Sequence, residues 1–120
     1  MPVKNILVID DSPTERYVLS EILTKGGYQV SVAESGEKGL EKAKTDLPDL
    51  ILMDIVMPGL NGYQATRTLS RDEMTRNIPI IVCTSKNQRT DRIWGLRQGA
   101  QDFISKPVNG KELLAKIAAL

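Results

Sequence analysis

Histidine is absent from this chain of 120 residues, and cysteine occurs once, as Cys83. Those two gaps exclude a disulfide framework, a Cys/His zinc site and any intramolecular Ser-His or Cys-His nucleophile pair. An excess of one charge is missing too: 16 Lys and Arg face 15 Asp and Glu, a net charge of +1, so no global field draws the chain to nucleic acid or an acidic membrane. Arg67, Arg71 and Arg76 cluster without interleaved aromatics and read as a solvated face. No apolar run approaches the roughly 20 residues of a membrane span, and the amino terminus lacks the apolar core of a secretion signal. A soluble, cytoplasmic protein without membrane insertion or nucleic-acid binding is expected. Cys83 lies inside Ile80-Ile81-Val82-Cys83, where a small buried hydrophobe is the usual role.

What is present is a repeated pattern of short apolar runs, each ending on polar residues. Ile6-Leu7-Val8-Ile9 ends on Asp10-Asp11, and Leu50-Ile51-Leu52-Met53 ends on Asp54, with Pro58-Gly59 just beyond. Four apolar residues between breakers predict a strand buried on both faces. Tyr28 to Ala33, Pro79 to Cys83 and Asp102 to Ser105 supply three more strands. Helix starts intervene. Ser12-Pro13 opens one carrying Val18, Leu19, Ile22 and Leu23, stopped by Gly26-Gly27, and Ser35-Gly36 opens another carrying Leu40, Ala43 and Leu47. Asn61 or Gly62, then Thr90-Asp91, then Asn109 start three further helices, the last with Leu113, Leu114, Ile117 and Ala118 on one face. Five βα units in one domain over residues 1–120 argue for a parallel sheet with right-handed crossovers and helices on both faces. At this length no separate output domain is expected.

In such a sheet, ligands bind at the carboxyl ends of the strands. That edge receives Asp10 and Asp11, Asp54, Thr84 and Ser85, and Lys106, each directly after an apolar run. Asp54 alone could be a turn starter. Three crowded carboxylates, however, repel one another unless a cation sits among them, and an oxygen-only donor set favours a hard ion such as Mg²⁺. Lys106 and a hydroxyl supply donors where a phosphoryl group on Asp54 would place its oxygens. The chemistry suggested is phosphoryl transfer onto a carboxylate. No Gly-x-x-x-x-Gly-Lys loop is present to hold a nucleoside triphosphate, so the phosphoryl donor is expected on another molecule.

Taken together, Asp10-Asp11, Asp54 with Met57-Pro58-Gly59 and Gly62, Thr84, and Lys106-Pro107 make the chain resemble a receiver domain of the two-component response regulators. It is similar to the single-domain form related to the chemotaxis regulator. The resemblance implies a flavodoxin-like, doubly wound α/β fold, a five-stranded parallel sheet of order 2-1-3-4-5 with five helices in three layers. It implies that Asp54 accepts phosphate from a phosphohistidine on a sensor histidine kinase or histidine phosphotransfer domain. Asp11, Asp54 and the backbone carbonyl of Val56 would bind Mg²⁺, Asp10 would support the metal through water, and Thr84 and Lys106 would contact the phosphate. A monomer is expected, read by a protein output target through the fourth helix, fifth strand and fifth helix. The segment Thr84 to Gln88 with Asp91 to Ala100 is similar to regulators of type IV pilus twitching motility and phototaxis.

Some positions depart from the best-known chemotaxis regulator. Phe103 stands where that protein has a switch tyrosine, and it lacks the hydroxyl. Val56, two residues past Asp54, cannot hold a hydrolytic water, and Lys86, beside Ser85 and two residues past Thr84, adds a cation. Both Val56 and Lys86 are expected to alter phosphoryl lifetime. Trp94 reads either as a packed anchor or as a partner contact. Three alternatives to a signalling switch stay open: an aspartyl-phosphate phosphohydrolase, a phosphate sink for a shared kinase, and a flavin or nucleotide module.

Overall fold

β1 (Asn5–Ile9) takes its place in the middle of the sheet because Ile6, Leu7, Val8 and Ile9 are apolar on both faces, and all four are buried. The computed structural model describes residues 2–85, 93 and 96–120, without the Thr84 side chain. In chain order the elements are β1, α1 (Pro13–Lys25), β2 (Gln29–Ala33), α2 (Gly36–Asp46), β3 (Leu50–Met53), α3 (Gly62–Arg71), β4 (Ile80–Thr84), β5 (Asp102–Ser105) and α4 (Gly110–Ala118). α4 is the fifth helix of the sequence pattern. The cap expected at Thr90-Asp91 lies outside the described residues, although Ile93, Leu96 and Arg97 have helical backbone.

All strand pairs are parallel, in the order β2-β1-β3-β4-β5, as expected for the doubly wound fold. Alternation along each strand then sorts side chains between two cores. Ile6, Val8, Leu50, Leu52, Ile81, Cys83 and Ile104 pack with Leu19 and Leu23 of α1 and Leu113 and Ile117 of α4. Leu7, Ile9, Ile51, Met53 and Ile80 face the other way, against Ala43 of α2 and Ala65 and Leu69 of α3. Truncating a residue such as Leu52 costs about 2–5 kcal/mol in sites of this kind.

The helix caps follow the sequence closely. Ser12, Ser35, Asn61 and Asn109 each accept a hydrogen bond from the backbone N–H three residues on, and Asn61 with Gln64 completes a capping box. Three apolar positions read as core are not. Val18 is exposed on the flank of α1, Ala118 is exposed on the last turn of α4, and Leu47 is 49% exposed in the left-handed conformation that ends α2. A left-handed cap turns its side chain off the helical stripe, so Leu47 departs from the periodicity its sequence position suggests. Among the described residues no helix is long and apolar enough to cross a membrane.

Candidate functional site

Because β1 and β3 are adjacent and in register from Ile9 against Met53, the next residue of each strand leaves the sheet beside the other. The backbone holds both in line, with Asp54 N–H donating to Ile9 O and Asp10 N–H to Ala33 O. Carboxylate oxygens of Asp10, Asp11 and Asp54 consequently lie within 4.8 Å of one another. Asp10 is 1% and Asp54 6% exposed, while Asp11 faces solvent.

Lys106, at the end of β5, completes the rim. Its Nζ lies 2.6 Å from Asp10 Oδ2, 3.6 Å from Asp54 Oδ1 and 3.9 Å from Glu15 Oε2. Burial works to lower the lysine pKa, but the hydrogen bond to Asp10 and the charges of Asp54, Asp10 and Glu15 outweigh it and raise the value above the ordinary one. The other oxygen of Asp10 accepts from Ser12 N–H at 2.9 Å, and Arg16 Nη1 donates to the Asp10 backbone carbonyl at 2.8 Å. Asp10 thus has both carboxylate oxygens engaged by the protein. The Lys106–Pro107 peptide is cis.

The loop after Asp54 is pinned from two sides. Gly62 N–H donates to Ile55 O, and a Cβ on Gly62 would stand 2.0 Å from the Asp54 carbonyl oxygen, so only glycine fits there. From α2, the Glu37 carboxylate accepts from Leu60 N–H at 2.7 Å. Ile55 and Met57 turn inward while Val56 between them is 52% exposed, which puts an apolar side chain in solvent next to the acids. Phe103 is 4% exposed and packs with Ile55, Val82, Ala100 and Tyr63. Cys83 is fully enclosed, and burial pushes its thiol pKa far up, as suits a core hydrophobe.

Asp10, Asp11, Asp54 and Lys106 are therefore brought together as the spacing suggests. Thr84 lies opposite Ser105 at the end of β4, and Ser85 is exposed. The Thr84 side chain, Lys86 and Trp94 lie outside the described residues. Glu15, Arg16 and Glu37 were not singled out from sequence as site residues. Glu15 reads as a capping-box acid, yet its place in the first turn after Asp10-Asp11 is the signal that puts it on the same rim.

Residues 6–118 match the family model described as the response regulator receiver domain. The chain belongs to that family. A receiver domain is a phosphoacceptor, and the protein is a phosphorylation-controlled signalling domain of the two-component response regulators. It is 54% identical to Protein PilH of Pseudomonas aeruginosa over 115 residues, which cover 96% of this chain and 95% of PilH. A crystal structure of a putative response regulator from Chloroflexus aurantiacus is 31% identical with a TM-score of 0.92 and covers 100% of both chains. The receiver domain of a sensor histidine kinase from Pseudomonas aeruginosa is 33% identical, with a TM-score of 0.88, covering 96% of this chain and 94% of its own. That structure holds a magnesium ion coordinated in its active site cleft. Among the described residues this site offers three carboxylates and no nitrogen or sulfur ligand, a donor set that suits a hard divalent cation.

Proposed function

We propose that Asp54 is the phosphoacceptor, that Mg²⁺ is the required cofactor, and that the donor is a phosphohistidine on a sensor kinase or phosphotransfer domain. The observation that carries this reading is the meeting of Asp54 with Asp10, Asp11 and Lys106 on one rim. Asp11 and Asp54, with the carbonyl of Val56, would hold Mg²⁺, and Asp10 would support it through water. When bound, the metal neutralises the acids and the phosphoryl oxygens. Asp54 presents a carboxylate oxygen from a buried position at the end of β3. Lys106, held within 4 Å of Asp54, donates to a phosphoryl oxygen, and Thr84 and Ser85 at the end of β4 supply further donors.

The domain acts over residues 1–120 as a cytoplasmic monomer, with an autodephosphorylation rate altered by Val56 and Lys86. Phosphorylation shifts Phe103, and a protein partner reads the altered surface of β5, α4 and the helix that the sequence starts at Thr90-Asp91, with Trp94 as one contact. The 54% identity to Protein PilH supports a role in type IV pilus twitching motility. Incubation with Mg²⁺ and acetyl phosphate tests the centre of this reading. Label is expected on the wild-type protein and not on Asp54→Ala, and equal labelling of both proteins would overturn it.

A further inference from the structure

Glu15 stands beside the acid group without belonging to it. Ser12 Oγ accepts from Glu15 N–H at 3.3 Å, which fixes Glu15 in the first turn of α1. Its side chain is about one-third exposed, and its Oε2 reaches to 3.9 Å from Lys106 Nζ. Lys106 is consequently within 4 Å of three different carboxylates, those of Asp10, Asp54 and Glu15. The three acids with oxygens close enough to share a cation are Asp10, Asp11 and Asp54. A divalent ion held there would offset charge on those three acids but not on Glu15, which adds a negative charge next to the lysine that an incoming phosphoryl group needs.

We infer that Glu15 is an electrostatic brake on phosphoryl uptake, a positioning residue that holds Lys106 among the acids and repels doubly charged donors at the mouth of the site. The inference rests on the reading of Asp54 as the acceptor. In the reaction a carboxylate oxygen of Asp54 forms a bond to phosphorus as the bond from phosphorus to the acetate oxygen of acetyl phosphate breaks, and acetate leaves. No proton need move. What Glu15 changes is the approach of the dianion and the freedom of Lys106 to turn from Asp10 towards it.

The test compares wild type, Glu15→Gln and Glu15→Ala, each with saturating Mg²⁺, using two donors: acetyl phosphate, a dianion at neutral pH, and phosphoramidate, a monoanion. With acetyl phosphate at low ionic strength both variants are expected to label about three- to tenfold faster than wild type. The gain is expected to shrink in about 0.5 M salt and to be smaller with phosphoramidate. A purely structural role would change both donors alike and leave the salt dependence unaltered. Equal gains with the two donors, a gain indifferent to salt, or slower labelling of variants that melt like wild type would overturn the inference. If Asp54→Ala labels as fast as wild type, the acceptor assignment falls and the inference falls with it; a brake that fails while Asp54→Ala stays unlabelled removes Glu15 alone.

Discussion

Asp11 is the exposed member of the acid group, and it contributes repulsion that a cation held among the three carboxylates would relieve. Like charges about 5 Å apart at a wet surface cost on the order of 1 kcal/mol after screening. Asp11→Asn is therefore expected to raise the melting temperature by a few degrees without Mg²⁺. It is also expected to weaken Mg²⁺ binding at least tenfold, so that the two proteins change order when metal is added; calorimetry of melting with and without Mg²⁺ checks both parts. The acids and Lys106 were legible in the sequence because each stands at or just past the end of a short strand, and a buried strand leaves little freedom in where the following residues emerge. Glu15 was not, because its capping position already accounted for it and only the packed helix shows what its side chain meets.

At the scale of elements, the site depends on how closely α3 approaches the end of β3. Adding the single methyl of Gly62→Ala would bring Cβ to 2.0 Å from the Asp54 carbonyl oxygen, a backbone atom that cannot move aside cheaply. A loss of about 2 kcal/mol or more is expected, from chemical denaturation, together with slower labelling of Asp54 by acetyl phosphate. The strands, their order and four caps follow from apolar runs, β-branched residues and Ser or Asn placed before helices. Val18 and Leu47 did not, since periodicity gives the direction of a stripe but neither its width nor the residue at which a helix turns left-handed. The loop clamp of Glu37 on Leu60 was equally hidden, because it joins segments whose proximity only the assembled sheet creates.

Across the whole molecule, Lys106 ties the last strand to the first. Its folded pKa is raised, so its contribution to stability is complete below the ordinary lysine value of about 10.4 and is lost as pH climbs through the higher folded value. Lys106→Met is expected to lower stability by about 1–3 kcal/mol, the discount from a fully buried pair reflecting partial solvation. The deficit should be constant from about pH 6 to 9 and diminish only above the lysine range. Urea titrations of both proteins across that span check the prediction, and a deficit that fades below about pH 8 would contradict it.

The pair formed by Asp10 and Lys106 spans 96 residues, nearly the length of the chain. A ribosome making this protein releases every acid of the rim long before it releases the lysine. β1, β2 and β3 can associate while β5 is still unmade, and the nascent sheet then carries an acidic edge without its lysine. Completion of the rim thus waits for β5, and a chain cut short before Lys106 keeps all three rim carboxylates but lacks the cation that lies among them.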